Sequence, residues 1–191
     1  MKMTPRDLMR AQYVNRWQIV PTSRPQNVAQ HSWAVAMLAM DLWCRRTGEQ
    51  PGDSVWCGRV AIMALWHDAP EVFTGDINTP TKIYLDVDKK LKELENTAGD
   101  AYWYSIDTDG PVRVCVKIAD FLEAMYWLME HGEGSYANNQ LHGLNERFHQ
   151  YLDSIAPLWK KAATDLWKEL CDVNAETTTF QRVNYLKADD A

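Results

Sequence analysis

Apolar residues recur through most of this chain at the three- and four-residue spacing that places them on one face of a helix. We predict that helices begin near Thr4, Asn27, Asp53 and Pro111, and that two more cover roughly 136–151 and 157–170. Pro70 is improbable inside a helix, so the helix that starts near Asp53 should end close to His67.

Three segments depart from this pattern. Residues 73–80 are rich in turn-forming types and are predicted to form an ordered loop, while Asp86 to Asn96 is charged enough to be a solvated helix. Residues 174–191 show no period and are predicted to be a tail or arm. Because no alternating run of β-branched residues is long enough to anchor a sheet, the prediction is one all-α domain over residues 1–173.

Composition limits the functions that the chain can have. Its 191 residues are 46% hydrophobic, enough for one domain with a substantial core. A net charge of −6 argues against a protein that coats DNA or RNA, although a local cationic cluster would still accept a small phosphorylated substrate. The four cysteines form no CxxC pair, which favours a reducing cytoplasm over a disulfide framework.

Neither a membrane span nor a signal peptide is expected. The most apolar stretch, Trp33 to Trp43, is interrupted by Asp41 and is too short to cross a bilayer. Residues 1–7 lack the apolar centre of a secretory signal. We therefore expect a cytoplasmic protein that binds neither a membrane nor a nucleic-acid polymer.

Four polar residues lie in or next to apolar helical stretches: His31, His67, Asp68 and Asp120. Buried charges need partners, and these side chains could pair around a divalent cation such as Zn²⁺, Mn²⁺, Fe²⁺, Co²⁺ or Ni²⁺. Such an ion would lower the pKa of a water molecule and make it a nucleophile. The spacing alone favours this interpretation no more than a satisfied core histidine at His31 and a helix-end carboxylate at Asp68.

Five segments narrow these alternatives: 15–17, 27–32, 66–76, 79–82 and 117–120. As a set and in this order, they resemble the HD-domain phosphohydrolases, in particular the bacterial 5′-deoxynucleotidases and their phage relatives. The resemblance implies a helical HD bundle and a divalent metal ion (Co, Mn, Zn, Mg or Fe). The metal ligands that it implies are His31, His67, Asp68 and Asp120.

The resemblance also implies roles for neighbouring residues. Glu71 would orient or deprotonate the attacking water, and Asp76 would assist the leaving oxygen or bind substrate. The substrate-binding residues that it implies are Arg16, Trp17, Ile19, Thr79, Lys82 and Lys117. The alternatives are an exposed glutamate on a short turn for Glu71, a simple Asx-turn for Asp76, core packing for Trp17 and solvation for the lysines.

Two features bear on which nucleotide is cleaved. Asp120 follows Asp68 by only 52 positions, a compactness that resembles phage enzymes which convert dATP to deoxyadenosine and triphosphate. In phages that replace adenine with 2-aminoadenine, such an enzyme empties the dATP pool, and Ile19 could reject a purine 2-amino group. The alternatives are a 5′-deoxynucleotidase acting on dNMPs and an inactive nucleotide-binding module; the presence of both Glu71 and Asp76 argues against the latter.

The remaining histidines, His131, His142 and His149, have no comparable sequence context. Six tryptophans are assigned to the core or to a subunit interface: Trp43, Trp56, Trp103, Trp127, Trp159 and Trp167. So many large aromatic residues in a small domain favour self-association, and we expect a homo-oligomer (a dimer or hexamer), located in the host cytoplasm if the chain is phage-encoded.

Overall fold

The computed structural model describes residues 3–50, 52, 55–87, 89–91, 93 and 110–172. Its α-helices are α1 Pro5–Leu8, α2 Val28–Thr47, α3 Val55–Trp66, α4 Glu71–Thr74, α5 Thr79–Leu85, α6 Pro111–His131, α7 Gly134–Asp153 and α8 Pro157–Leu170. A 3-10 helix, Met9–Tyr13, follows α1. Within these ranges there is no strand, only the isolated bridges Asn15–Asn27 and Thr22–Gly132, so the all-α prediction is confirmed.

The helices begin and end at residues suited to those positions. Thr4 and Asp7 form a capping box at α1, and Asn27 and Gln30 form another at α2, where the side chain of Asn27 accepts from the Gln30 amide at 2.9 Å. Gly48 ends α2 with a left-handed backbone (φ 78°) that costs glycine little. Local capping therefore explains why α2 extends over 20 residues with defined ends.

The core forms around α2, which packs against α3, α6 and α8. Because α2 contacts three other helices, a polar residue on one of its buried faces must find its partner inside the bundle. Residues buried in this core include Val35, Ala39, Leu42, Val60, Ala64, Ile118, Leu122, Met125, Phe148, Leu152, Ala163 and Leu166.

The predicted loop at 73–80 is wrong at both ends. Glu71–Thr74 forms the one-turn helix α4, and α5 begins at Thr79, so only residues 75–78 are irregular. The physical reason is capping: Gly75 (φ 73°) ends α4, and the Asn78 Oδ1 atom accepts from the Thr81 amide at 3.0 Å to start α5.

The other predicted boundaries agree in part where the structure describes them. The helix expected from Asp53 begins at Val55 (residues 53 and 54 lie outside the described part) and ends at Trp66, immediately before His67. Of the solvated helix predicted at 86–96, residues 89–91 and 93 are helical, and residues 88, 92 and 94–96 lie outside the described part. The predicted start at Asp86 is wrong, because Asp86 ends α5 with a left-handed backbone (φ 48°). The tail at 174–191 also lies outside, so the domain boundary at 173 stays a prediction.

Two further observations concern sequence features. In the described part, no helix combines the length and the apolar character needed to cross a bilayer. None of the four cysteines forms a disulfide bond. Of the six assigned tryptophans, Trp43, Trp127 and Trp159 are buried, and Trp167 packs partly buried against the core. Trp56 is 40% exposed, and Trp103 lies outside the described residues.

Candidate metal centre and active site

Three of the four predicted metal ligands meet at one point in the bundle. The Nε2 atom of His31 in α2 lies 3.2 Å from the Nε2 atom of His67, just beyond the end of α3. It also lies 3.4 Å from the Oδ1 atom of Asp120 in α6. One ligand atom from each of these residues lies within 4.8 Å of the other two, as a shared cation requires. Helix packing thus brings together residues that are up to 89 positions apart.

Asp68 lies at the edge of this group. Its Oδ2 atom is 3.4 Å from the Nε2 atoms of both His31 and His67. The same oxygen accepts a 2.7 Å hydrogen bond from Nη1 of Arg16. The fourth predicted ligand is therefore close enough to join the group, and it is already in contact with a predicted substrate-binding arginine.

The outward nitrogens of both imidazoles are fixed by hydrogen bonds. Nδ1 of His67 donates to the Ala64 carbonyl oxygen at 2.6 Å, and Nδ1 of His31 donates to the Glu123 Oε2 atom at 2.5 Å. Because carbonyl and carboxylate oxygens can only accept, Nδ1 carries a proton in each ring and Nε2 is the nitrogen available to a cation.

The donor set and its spacing fit a divalent cation. Two imidazole nitrogens with carboxylate oxygens suit zinc and its first-row neighbours. Tetrahedral ligands at zinc–ligand distances of about 2.0–2.2 Å lie roughly 3.3–3.6 Å from one another. The observed separations of 3.2 and 3.4 Å around His31 Nε2 are close to this spacing.

The electrostatics of the group reflect its dense packing of opposite charges. Burial lowers the pKa of His31, but its bonding to Asp120 and Glu123 outweighs burial and raises that pKa to about 9. Burial raises the pKa of Asp120, but Lys117 and His31 outweigh this effect and lower the pKa well below its usual value. A cation binding here would consequently displace a proton from His31.

A cleft of about 450 Å³ lies over this group. The predicted site residues that line it are Arg16, Trp17, Ile19, Asp68, Glu71, Asp76, Thr79, Lys82, Lys117 and Asp120. The structure therefore places every predicted site residue except His31 and His67 on the cleft wall, and those two belong to the ligand group below it.

Glu71 and Asp76 face the cleft from α4 and the loop after it. The Oε2 atom of Glu71 is buried, and it has no hydrogen-bond partner among the described residues. Burial and the carboxylates of Asp68 and Asp76 raise the pKa of Glu71 to about 9. Burial also raises the pKa of Asp76. An exposed glutamate on a turn, the alternative considered above for Glu71, does not match this environment.

Trp17 differs from the core-packing alternative, whereas the Lys117 side chain is 49% exposed, as the solvated alternative expects. Trp17 lies half-buried at the cleft, not in the core, and its φ of 58° is unusual for a large residue. Its indole N–H donates to the Gln26 Oε1 atom at 2.8 Å. Nζ of Lys117 is paired with Oδ2 of Asp120 at 2.8 Å. Arg16 is 13% exposed, with its guanidinium directed at Asp68.

The sequence prediction did not include residues that approach from α6 and α7. Gln140, Leu144 and Arg147 of α7 line the cleft, and no local motif marks them. Glu123 did carry a signal, since a charged residue three positions after Asp120 shares its helix face in an otherwise apolar stretch. His131, His142 and His149 are not among the residues that line the cleft.

Comparisons with known proteins identify the family of this chain. The family model for 5′-deoxynucleotidase YfbR-like proteins matches residues 6–111. The chain is 77% identical to a dATP triphosphohydrolase of Salmonella phage PMBT28 over the whole of both chains. It is 34% identical to a dATP triphosphohydrolase of Acinetobacter phage SH-Ab 15497, over 96% of this chain and 98% of that one.

A solved structure shows the same fold. The HD phosphohydrolase DatZ of cyanophage S-2L, bound to dA and one catalytic Zn²⁺ ion, superposes with a TM-score of 0.76. The match has 26% sequence identity and covers 88% of this chain and 97% of that chain. With the family model matching more than half of its length and a relative matching all of it, the chain belongs to the 5′-deoxynucleotidase YfbR-like family of HD-domain phosphohydrolases.

Proposed function

We propose that this protein is a metal-dependent phosphohydrolase that cleaves dATP between its 5′ oxygen and the α-phosphorus, giving deoxyadenosine and triphosphate. The observation that carries the proposal is the position of the His31, His67 and Asp120 group below a cleft lined by cationic side chains. The full-length similarity to a phage dATP triphosphohydrolase supports the choice of substrate.

His31, His67, Asp68 and Asp120 would hold the divalent ion. When bound, such an ion supplies Lewis-acid activation of water and neutralises charge on the phosphate. The Zn²⁺ in the cyanophage relative makes zinc the first candidate, with Co, Mn, Mg and Fe to be compared against it. Arg16 keeps Asp68 ionised and oriented, since its guanidinium contacts the oxygen nearest to both histidines.

Four cations line the cleft: Arg16, Lys82, Lys117 and Arg147. The buried Nε atom of Arg16 has no partner among the described residues, so it can donate to an α-phosphate oxygen. Arg147 is exposed and reaches the cleft from a different helix, which places positive charge beyond what a monophosphate needs. This distribution favours a triphosphate substrate.

Glu71 and Asp76 handle protons in this proposal. Glu71 orients the attacking water through its buried, unpaired Oε2 atom. Its raised pKa belongs to the metal-free site; a divalent cation held next to it would stabilise the carboxylate and let it accept the proton that the water loses. Asp76, with its raised pKa, donates a proton to the departing 5′ oxygen as the oxygen–phosphorus bond breaks. One water is thereby consumed, and deoxyadenosine leaves with a neutral hydroxyl.

The base is bound by the wall formed by Trp17 and Ile19. Trp17 offers an aromatic surface for stacking, and the side chain of Ile19 is 47% exposed beside it. An apolar group at this position would reject a purine that carries a 2-amino substituent, because a buried amino group would lack a hydrogen-bond partner. Thr79 and Lys82 line the cleft from α5.

The alternative is a 5′-deoxynucleotidase that converts dNMPs to deoxynucleosides and phosphate, which the YfbR-like family match favours. Both reactions break the same bond, and they differ only in whether the α-phosphate carries further phosphates. We also propose a homo-oligomer in the host cytoplasm; the exposed Trp33 (63%) and Met37 (47%) lie one turn apart on α2 and could belong to its interface.

Product analysis tests the proposal directly. Protein freed of metal with a chelator and then reloaded with Zn²⁺, Co²⁺, Mn²⁺ or Mg²⁺ is incubated with dATP and, separately, with dAMP. Triphosphate and deoxyadenosine from dATP, with dAMP unchanged, are the expected products. Phosphate from several dNMPs, with dNTPs unchanged, would instead establish the 5′-deoxynucleotidase.

A further inference from the structure

Buried polar side chains are few in the described part of the chain, and most of them form a single network. The buried polar or charged residues there are Gln26, His31, Ser32 and Glu123. Three of these four are joined by hydrogen bonds into one chain that starts at the metal ligand His31. Because unpaired polar groups are costly inside a protein, this arrangement needs every one of its bonds.

The chain runs from His31 to the cleft in three steps. Nδ1 of His31 donates to Oε2 of Glu123 at 2.5 Å, and Nε2 of Gln26 donates to Oε1 of the same carboxylate at 2.5 Å. The Oε1 atom of Gln26 then accepts the indole N–H of Trp17 at 2.8 Å. Since the amide of Gln26 must donate on one side and accept on the other, its orientation is fixed by both ends.

Gln26 also fixes the backbone next to Trp17. Its carbonyl oxygen accepts the Arg16 amide at 2.8 Å, beside the bridge between Asn15 and Asn27. Trp17 has a φ of 58°, a conformation that large residues keep only when their surroundings impose it. One buried residue therefore constrains both of the cleft residues at 16 and 17.

We propose that Gln26 is a positioning residue which, through Glu123, couples occupancy of the cation site to the placement of Trp17 in the cleft. A cation on Nε2 of His31 fixes the ring, the ring fixes the Glu123 carboxylate, and the carboxylate fixes the amide that holds the indole. Linkage requires the effect to be reciprocal, so the cation and the deoxynucleoside tighten each other's binding by the same factor. This inference rests on the proposed function, because it takes deoxyadenosine as the occupant of the cleft.

The coupling factor is measurable without turnover. Deoxyadenosine affinity is determined by calorimetry for metal-free and Zn²⁺-loaded protein, and Zn²⁺ affinity by chelator competition with and without deoxyadenosine. Couplings of this kind amount to about 5- to 150-fold. Gln26→Met keeps the side-chain length but removes the amide donor and the amide acceptor. In this variant we expect the coupling factor to fall at least about fivefold.

A second variant keeps the test independent of folding in the core. Trp17→Phe retains an aromatic ring and removes the indole N–H, so it should lower the coupling factor as Gln26→Met does, and the double variant should lower it no further. Gln12→Met is the matched control, because the exposed Gln12 side chain bonds only the Met9 carbonyl among the residues that the structure describes.

The two explanations of a weakened variant give different results. A residue that merely shapes the cleft would reduce deoxyadenosine affinity equally with and without Zn²⁺, and an unchanged factor in Gln26→Met or in Trp17→Phe would overturn the proposal. If the wild type hydrolyses dATP but the variants leave the coupling factor unchanged, only this inference fails. If the wild type neither binds deoxyadenosine nor hydrolyses dATP, the proposed function fails with it.

Discussion

Arg16 and Asp68 share a contact that joins a proposed substrate-binding residue to the candidate metal centre. Nη1 of Arg16 donates to Oδ2 of Asp68 at 2.7 Å, and that oxygen is also the one 3.4 Å from both histidine Nε2 atoms. Burial raises the pKa of Asp68, but the charges of His67, His31 and Arg16 outweigh it and lower that pKa. The carboxylate is thus kept ionised by residues on both sides of it.

Replacing Asp68 with Asn should abolish turnover while leaving most of the fold intact. The amide is a poor cation ligand and leaves Arg16 without its ionic partner, so we expect dATP hydrolysis to fall by about 100-fold or more. Steady-state kinetics and circular dichroism check this. Asp41→Asn is the control, because it removes a carboxylate of α2 that is 46% exposed and, in the described part of the chain, is paired only with Arg45. Full activity in Asp68→Asn would refute the ligand assignment.

Glu71→Gln separates proton handling from metal binding. The amide keeps the shape of the side chain but cannot accept a proton, so kcat should fall by about 10²- to 10⁴-fold. Zn²⁺ affinity, measured by chelator competition, should change little, because Glu71 is not among the proposed ligands. Glu130→Gln, at an exposed position near the end of α6, is the control. An unchanged kcat would remove Glu71 from the mechanism.

Ile19→Ala should relax discrimination between purines. Removing part of an apolar wall changes selectivity by roughly 10-fold or more. We expect the kcat/KM ratio of 2-aminoadenine deoxynucleoside triphosphate to dATP to rise by about that factor, as measured by competing the two substrates. Ile83→Ala, at a 73% exposed residue of α5, should leave the ratio unchanged. A kcat/KM ratio in Ile19→Ala equal to that of the wild type would mean that another residue selects the base.

Arg147→Gln should weaken the binding of dATP, which carries phosphates, but not that of deoxyadenosine. Removing one cation that contacts a β- or γ-phosphate should raise KM for dATP by about 10-fold. Binding of deoxyadenosine, which carries no phosphate, should be unaffected. Arg10→Gln, at an exposed residue outside the cleft, is the control. Equal losses for dATP and deoxyadenosine would show that Arg147 shapes the cleft and does not bind phosphate.

Cation affinity should rise with pH. In the metal-free protein the pKa of His31 is raised to about 9, so a proton must leave its ring when a cation binds. Below that pKa, each proton displaced makes the affinity increase about tenfold per pH unit. Calorimetry of Zn²⁺ binding in buffers of different ionisation enthalpy counts the released protons. An affinity that is constant between pH 6 and 8 would contradict this picture.

Much of the fold could be predicted because its signals are local. Capping at Thr4 and Asn27, the proline at 111 and the glycine at 132 mark helix ends within a few residues of the observed ones. The loop predicted at 73–80 was wrong because the local signals there are ambiguous. Turn-rich composition does not distinguish a loop from two short helices whose ends are capped by Gly75 and Asn78.

Some residues of the candidate site could be predicted from local sequence and others could not. The proposed ligands and most cleft residues lie in motifs that the sequence displays, whereas Gln140 and Arg147 reach the cleft only because α7 packs against α6. Their role depends on an angle between helices, which no local pattern encodes. Gln26 was missed for a different reason, since a glutamine before a helix cap is ordinarily a surface residue, and only the folded bundle buries it to 1% exposure.

The hydrogen bond from His67 to Ala64 has a consequence for protein engineering. α3 ends at Trp66, so the Ala64 carbonyl is one of the last-turn acceptors that lack a partner within the helix, and the imidazole occupies it at 2.6 Å. The same ring therefore finishes a helix and offers a nitrogen to a cation. Transplanting this centre into another scaffold would require carrying over the final turn of α3, because the ligand's orientation is built into how that helix stops.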